Sequence, residues 1–128
     1  MIYSIKTKKK SEEIKRSVEE SAKAFGFGLL HSYAFKEILQ EKGYPIEKEI
    51  TVFELCNPAG AQQVLTQMAG VSVYLPCRLS VYEAEGETVL ATIDMEILLQ
   101  NAEIDSKLRQ EMKILFRTLK DLMEKLRK

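Results

Sequence analysis

The sequence predicts an α+β fold, a single domain in which an antiparallel-rich sheet is covered by helices and a long amphipathic helix closes the chain. Three observations carry this. Several short stretches rich in β-branched and aromatic residues alternate in character with period two. Segments with helical spacing of apolar residues lie between them. A Glu85-Gly86 pair separates two strand-like runs in the manner of a β-hairpin. The chain has 128 residues, which fits one domain, and no repeat, low-complexity tract or Pro/Gly/Ser linker divides it.

Residues 2–7 alternate Ile2 and Ser4 against Tyr3 and Ile5, as a strand does. The charged turn Lys8-Lys9-Lys10 follows, with Ser11 placed to cap a helix and Glu12 and Glu13 at its positive end. Ile14, Val18, Ala22 and Phe25 recur at helical spacing along it, and Gly26 stops it. Leu29 to Tyr33 reads as a strand, and Phe35 to Lys42 as a short helix closed by Gly43.

Glu49 to Cys56 is strongly β-favouring, and Asn57-Pro58 then supplies an N-cap and a first-turn proline for a helix ending near Gly70. Val71 to Glu83 reads as one further strand, with Pro76 at a bulge or edge, and Thr88 to Asp94 as its hairpin partner. From about Ser106, Leu108, Met112, Leu115, Leu119, Leu122 and Leu126 form an apolar stripe widened by Phe116 and Met123. The domain core is expected over about residues 1–100, with this helix as an extension over about 104–128.

Nineteen Lys+Arg balance nineteen Asp+Glu, so there is no net field to gather nucleic acid or an anionic membrane. No apolar run approaches the roughly 20 residues needed to span a bilayer. The N-terminus lacks the basic-then-apolar pattern of an export signal. Two cysteines cannot build a dense secreted framework, so a cytoplasmic location is expected.

Those two cysteines are the chemically suggestive residues. Cys56 stands where a strand passes into the Asn57-Pro58 helix, a place where unpaired backbone N–H groups stabilise an anion, including a thiolate. The plainer alternative is a small apolar filler. Strand alternation places Cys77 on a face with Leu79 and Val81, directed to the core, where burial raises a thiol's pKa and quenches it. The same count puts Val52, Glu54 and Cys56 on the face opposite Phe53 and Leu55, so the two cysteines fall on opposite sides of the sheet and make no ready redox pair.

The second face is then expected to gather Glu54, Cys56, Tyr74, Arg78 and Tyr82 as a binding site, or else as a Glu–Arg pair and aromatic neighbours stabilising the sheet or a dimer contact. His31, the sole histidine, adds a candidate binding residue without the neighbours of a zinc site or a triad. No phosphate loop, dinucleotide fingerprint or metalloprotease helix occurs, and no metal-ligand set or cofactor is identified.

At Gly26-Phe27-Gly28, Glu54-Leu55-Cys56-Asn57-Pro58 and Leu75-Pro76-Cys77-Arg78-Leu79-Ser80-Val81-Tyr82-Glu83, the chain resembles the domain-of-unknown-function 302 (DUF302) family from Met1 to about Gln100. The resemblance implies a compact α+β domain that associates as a homodimer, and it implies no particular reaction. The chain departs from the family pattern at Ala34, where an acidic residue is common, and at Met95, where a proline is usual.

Together these readings point to a dimeric binding domain, more a binder than an enzyme, holding a small molecule, metal or partner near Glu54, Cys56 and Arg78. A thiol-dependent redox or sulfur-carrier protein using Cys56 is the first alternative. An interaction protein working through the C-terminal helix is the second.

Overall fold

The computed structural model describes every residue from Met1 to Lys128. In chain order the elements are β1 (Ile2–Thr7), α1 (Ser11–Lys23), β2 (Gly28–Ala34), α2 (Phe35–Glu41), β3 (Ile50–Cys56), α3 (Pro58–Gln67), a 3-10 helix (Ala69–Tyr74), β4 (Cys77–Ala84), β5 (Glu87–Ile93), α4 (Met95–Gln100) and α5 (Ser106–Arg127). The five strands form one antiparallel sheet in the order β1-β5-β4-β3-β2. The predicted fold class is therefore the observed one.

Local chemistry explains most junctions. Ala84 pairs with Glu87, and the two residues between them, Glu85 and Gly86, both adopt positive φ (54° and 80°), as the tight turn of a right-twisted hairpin requires. Asn57 caps α3 by accepting a hydrogen bond from the Gly60 N–H at 3.0 Å, with Pro58 in the first turn. Asp94 and Asp105 cap α4 and α5 in the same way. Ser11 does not cap α1: the cap position falls on Lys10, and the Ser11 hydroxyl donates to Glu83 at 3.0 Å. The helix simply begins one residue earlier than expected.

The expected strand Val71–Glu83 is corrected. Its first part is the 3-10 helix Ala69–Tyr74, followed by a cis Leu75–Pro76 bond, and β4 starts only at Cys77. β4 lies between β3 and β5, so both its edges are hydrogen-bonded, and a proline, which has no N–H to donate, cannot sit within such a strand. Val71 instead buries itself beneath α3 and α5. Six residues after β5, Met95–Gln100, form a helix that the alternation of the hairpin masks in the sequence.

One face of the sheet is built into the core. Ile5, Phe53, Leu55, Leu79, Val81 and Leu90 pack with Ile14, Val18 and Ala22 of α1 and with Leu119, Leu122, Met123 and Leu126 of α5. A second cluster joins Val64, Val71, Met95 and Leu99 to Leu108, Met112, Leu115 and Phe116. The helix expected as an extension, Ser106–Arg127, thus supplies its first half to one cluster and its second half to the other, and its apolar stripe is buried inside the domain. Thr7 on β1 donates its hydroxyl to the Arg127 carbonyl at 2.9 Å, tying the first strand to the last helical turn. No helix is long and apolar enough to cross a membrane.

The other face of the sheet contributes no side chain to either cluster. It carries a shallow depression lined only by strand residues, among them Ile2, Val52, Arg78, Tyr82 and Ile93. Ile2 and Ile93 are 75% and 43% exposed there.

Candidate functional site

Two features occupy the region around Cys56. The first is a polar cluster on the outer sheet face. Glu54 pairs across β3 with Arg78 on β4 and with His31 on β2, so all three share that face. Arg78 Nε lies 3.5 Å from one Glu54 carboxylate oxygen, and the Tyr33 hydroxyl donates to the other at 2.9 Å. The Glu54 side chain is only 15% exposed, while Arg78 is 46% exposed. A half-shielded carboxylate is stabilised when both its oxygens are engaged. The bond to Glu54 holds the proton on Tyr33 and raises its pKa above the ordinary phenol value.

Tyr33 is absent from the sequence-based site, although alternation along β2 places it beside His31. Their rings lie 4.5 Å apart, and Phe35 continues the row at 6.0 Å from Tyr33. Two expected members stand elsewhere. Tyr82 is on the same face but four residues along β4 from Arg78, about 13 Å away by strand rise, beneath the Lys48 ammonium at 5.5 Å. Tyr74 is not on the face: the 3-10 helix carries it against the second core cluster.

The second feature is a cleft of about 260 Å³ at the end of the sheet. Leu30, Leu55, Ala61, Leu65, Leu75, Pro76 and Leu115 give it an apolar wall, and its sulfur and polar atoms come from Cys56, Cys77, Asn57 and Ser72. Leu55 pairs with Cys77, so the alternation expected from the sequence holds: Cys77 is on the core face and Cys56 on the other. Both thiols nonetheless border one space. Cys56 ends β3 and Cys77 begins β4, and the cleft wraps around this common end beneath α3, so both line it. Both thiols are free and half-buried.

Burial pushes the Cys77 thiol up to about 11, with the negative charge of a Cys56 thiolate adding to the shift. The folded value exceeds the ordinary 9.0, so the corresponding stability is whole below about pH 9 and is lost as pH rises through about 11. A shift of two units corresponds to about 3 kcal/mol. Urea unfolding at about pH 8 and about pH 10.5 should therefore show the wild type losing about 2 kcal/mol more than Cys77→Ala. Equal losses in the two proteins would show that Cys77 is not buried as described.

No group of three or more His, Cys, Asp or Glu side chains comes together in the arrangement a multidentate metal site needs. Glu54, Arg78, Tyr33 and His31 can orient a polar or charged group by hydrogen bonds. The cleft can enclose a small apolar body and present two sulfur atoms to it.

The chain matches the family described as "Domain of unknown function DUF302" over residues 3–126, a span that includes α5. It is similar to the protein in "Crystal structure of uncharacterized conserved protein DUF302 from Bacillus stearothermophilus", with 30% identity, a TM-score of 0.87 and 98% of each chain covered. No curated protein matches. With the family pattern running through all five strands and the final helix, this chain belongs to the DUF302 family.

Proposed function

We propose that the protein is a homodimeric, non-catalytic binding domain of the cytoplasm, and that its ligand enters the cleft that Cys56 and Cys77 both line. The observation that carries this reading is the cleft itself, about 260 Å³ in volume and largely apolar, with Cys56, Cys77, Asn57 and Ser72 among its lining residues. Ala61 forms part of its wall from α3. Ala61→Trp would fill the space without interrupting the helix. Native mass spectrometry of protein purified without denaturation should show a non-covalent adduct on the wild type that is missing from Ala61→Trp. An adduct retained by the variant would place the ligand elsewhere.

The homodimer reading draws on the outer sheet face. Its apolar centre of Ile2, Val52, Tyr82 and Ile93 lies beside Glu54 and Arg78, charges of opposite sign that are self-complementary across a two-fold axis. Ile93→Glu should leave the circular dichroism unchanged and convert the dimer to a monomer by light scattering. A dimer that survives this change would move the interface off the sheet.

Thiol chemistry at Cys56 is the second reading, favoured by the shared cleft. Oxidation by diamide would join the two sulfurs as diamide takes up the two hydrogens. Loss of two titratable thiols per chain with no change of mass in solution would support it, and loss of none would dismiss it.

A further inference from the structure

The bulge on β2 takes one residue out of the sheet ladder. Leu29 pairs with Leu55 and His31 with Glu54, so Leu30 between them has no partner on β3, and it stands instead on the wall of the cleft. A bulge redirects a side chain in this way. Leu65 of α3 lines the same cleft, and the two leucines are 60% and 39% exposed. Shielding them from water rewards apolar surface on the occupant.

No charged side chain lines the cleft. Glu54 and Arg78, close to the cysteines in sequence, pair with each other on the outer sheet face. Burial keeps the Cys77 thiol, pushed up to about 11, uncharged near neutral pH. A charged group enclosed here would lose its water and meet no counter-ion. What the wall offers is neutral. Asn57 commits its side-chain oxygen to the Gly60 N–H at 3.0 Å, which leaves its amide NH₂ to donate, and Ser72 contributes a hydroxyl.

An aliphatic cavity of about 150 Å³ holds one benzene ring, so a cleft of about 260 Å³ has room for roughly two fused rings. We propose that the cleft selects an uncharged small molecule of that size, an apolar body bearing a neutral acceptor that meets a donor from Asn57 or Ser72. The selection acts on what the cleft encloses: a larger molecule can seat one ring and leave a charged end in water. This inference rests on the reading of the cleft as the binding site and names the ligand class for it.

The test is equilibrium dialysis of the full-length protein, near neutral pH, against naphthamide, naphthoate and naphthamidine substituted at the same ring position. These share a shape and are neutral, negative and positive. One naphthamide per chain is expected, bound at least about tenfold more tightly than either charged analogue and lost in Ala61→Trp. Leu65→Lys, which places a cation on the wall at a partly exposed position, should raise the affinity for naphthoate about threefold and lower that for naphthamidine.

A charged analogue that binds the wild type as tightly as naphthamide, or no binding of naphthamide, would overturn the proposal. If all three bind equally and all are lost in Ala61→Trp, selection for a neutral ligand is refuted while the cleft remains the site. Naphthamide held equally by the wild type and Ala61→Trp would instead refute the cleft itself.

Discussion

A chain ending at Asn101 is expected to be unfolded, with no cooperative thermal transition and no near-ultraviolet circular dichroism. The deleted segment carries eight buried residues of α5, four in each core cluster. Each such side chain contributes about 1.5–3 kcal/mol when fully buried, so their loss removes about 12–24 kcal/mol, set against the roughly 5–15 kcal/mol by which a domain of this size is stable. The cut would also open the core cluster that Leu55, Leu79 and Val81 of the sheet share with the second half of α5. An accessory interaction helix predicts a folded, soluble remnant with altered oligomeric mass. Circular dichroism of the truncated chain therefore distinguishes a core helix from an accessory one.

Within that helix, Leu122→Ala is expected to cost about 3 kcal/mol. Leu122 is fully buried, between α1 and the sheet, where a truncated side chain leaves a cavity that the surrounding strands cannot close. In urea the midpoint should fall by about 1.5 M with an unchanged slope. By contrast Ile114, 48% exposed on the same helix, should tolerate alanine with a much smaller loss, within about 1 kcal/mol. A Leu122→Ala effect no larger than that of Ile114→Ala would mean that α5 does not pack as described.

Much of this architecture was legible because its signals are local. The Asn57 cap, the positive-φ Glu85-Gly86 turn and the stripe from Leu108 to Leu126 each arise within a few residues of the chain. What escaped was decided by tertiary context. Val71, Val73 and Leu75 alternate as in a strand, but the ladder on both sides of β4 excludes Pro76, and Val71 is drawn into the second cluster. The stripe of α5 shows that the helix buries a face but not against what. Packing against the sheet, rather than against another chain, follows only from the three-dimensional arrangement.

The same division runs through the site. The Glu54–Arg78 pair was legible from strand alternation, whereas Tyr33 required the register of β2 on β3, which the bulge between Leu29 and His31 offsets. Alternation also assigned Cys56 and Cys77 to their correct faces. It could not show that a cleft wraps around the end of the sheet, because that depends on where α3 and the 3-10 helix come to rest.

The cleft is the centre of the functional account, and the amide NMR spectrum of isotope-labelled protein titrated with anilinonaphthalene sulfonate tests it most directly. Shifts concentrated at Leu30, Cys56, Ala61, Leu65 and Ser72, and lost in Ala61→Trp, are the predicted result. Shifts confined to Val52, Tyr82 and Ile93 on the outer sheet face, with the cleft residues unmoved, would contradict it.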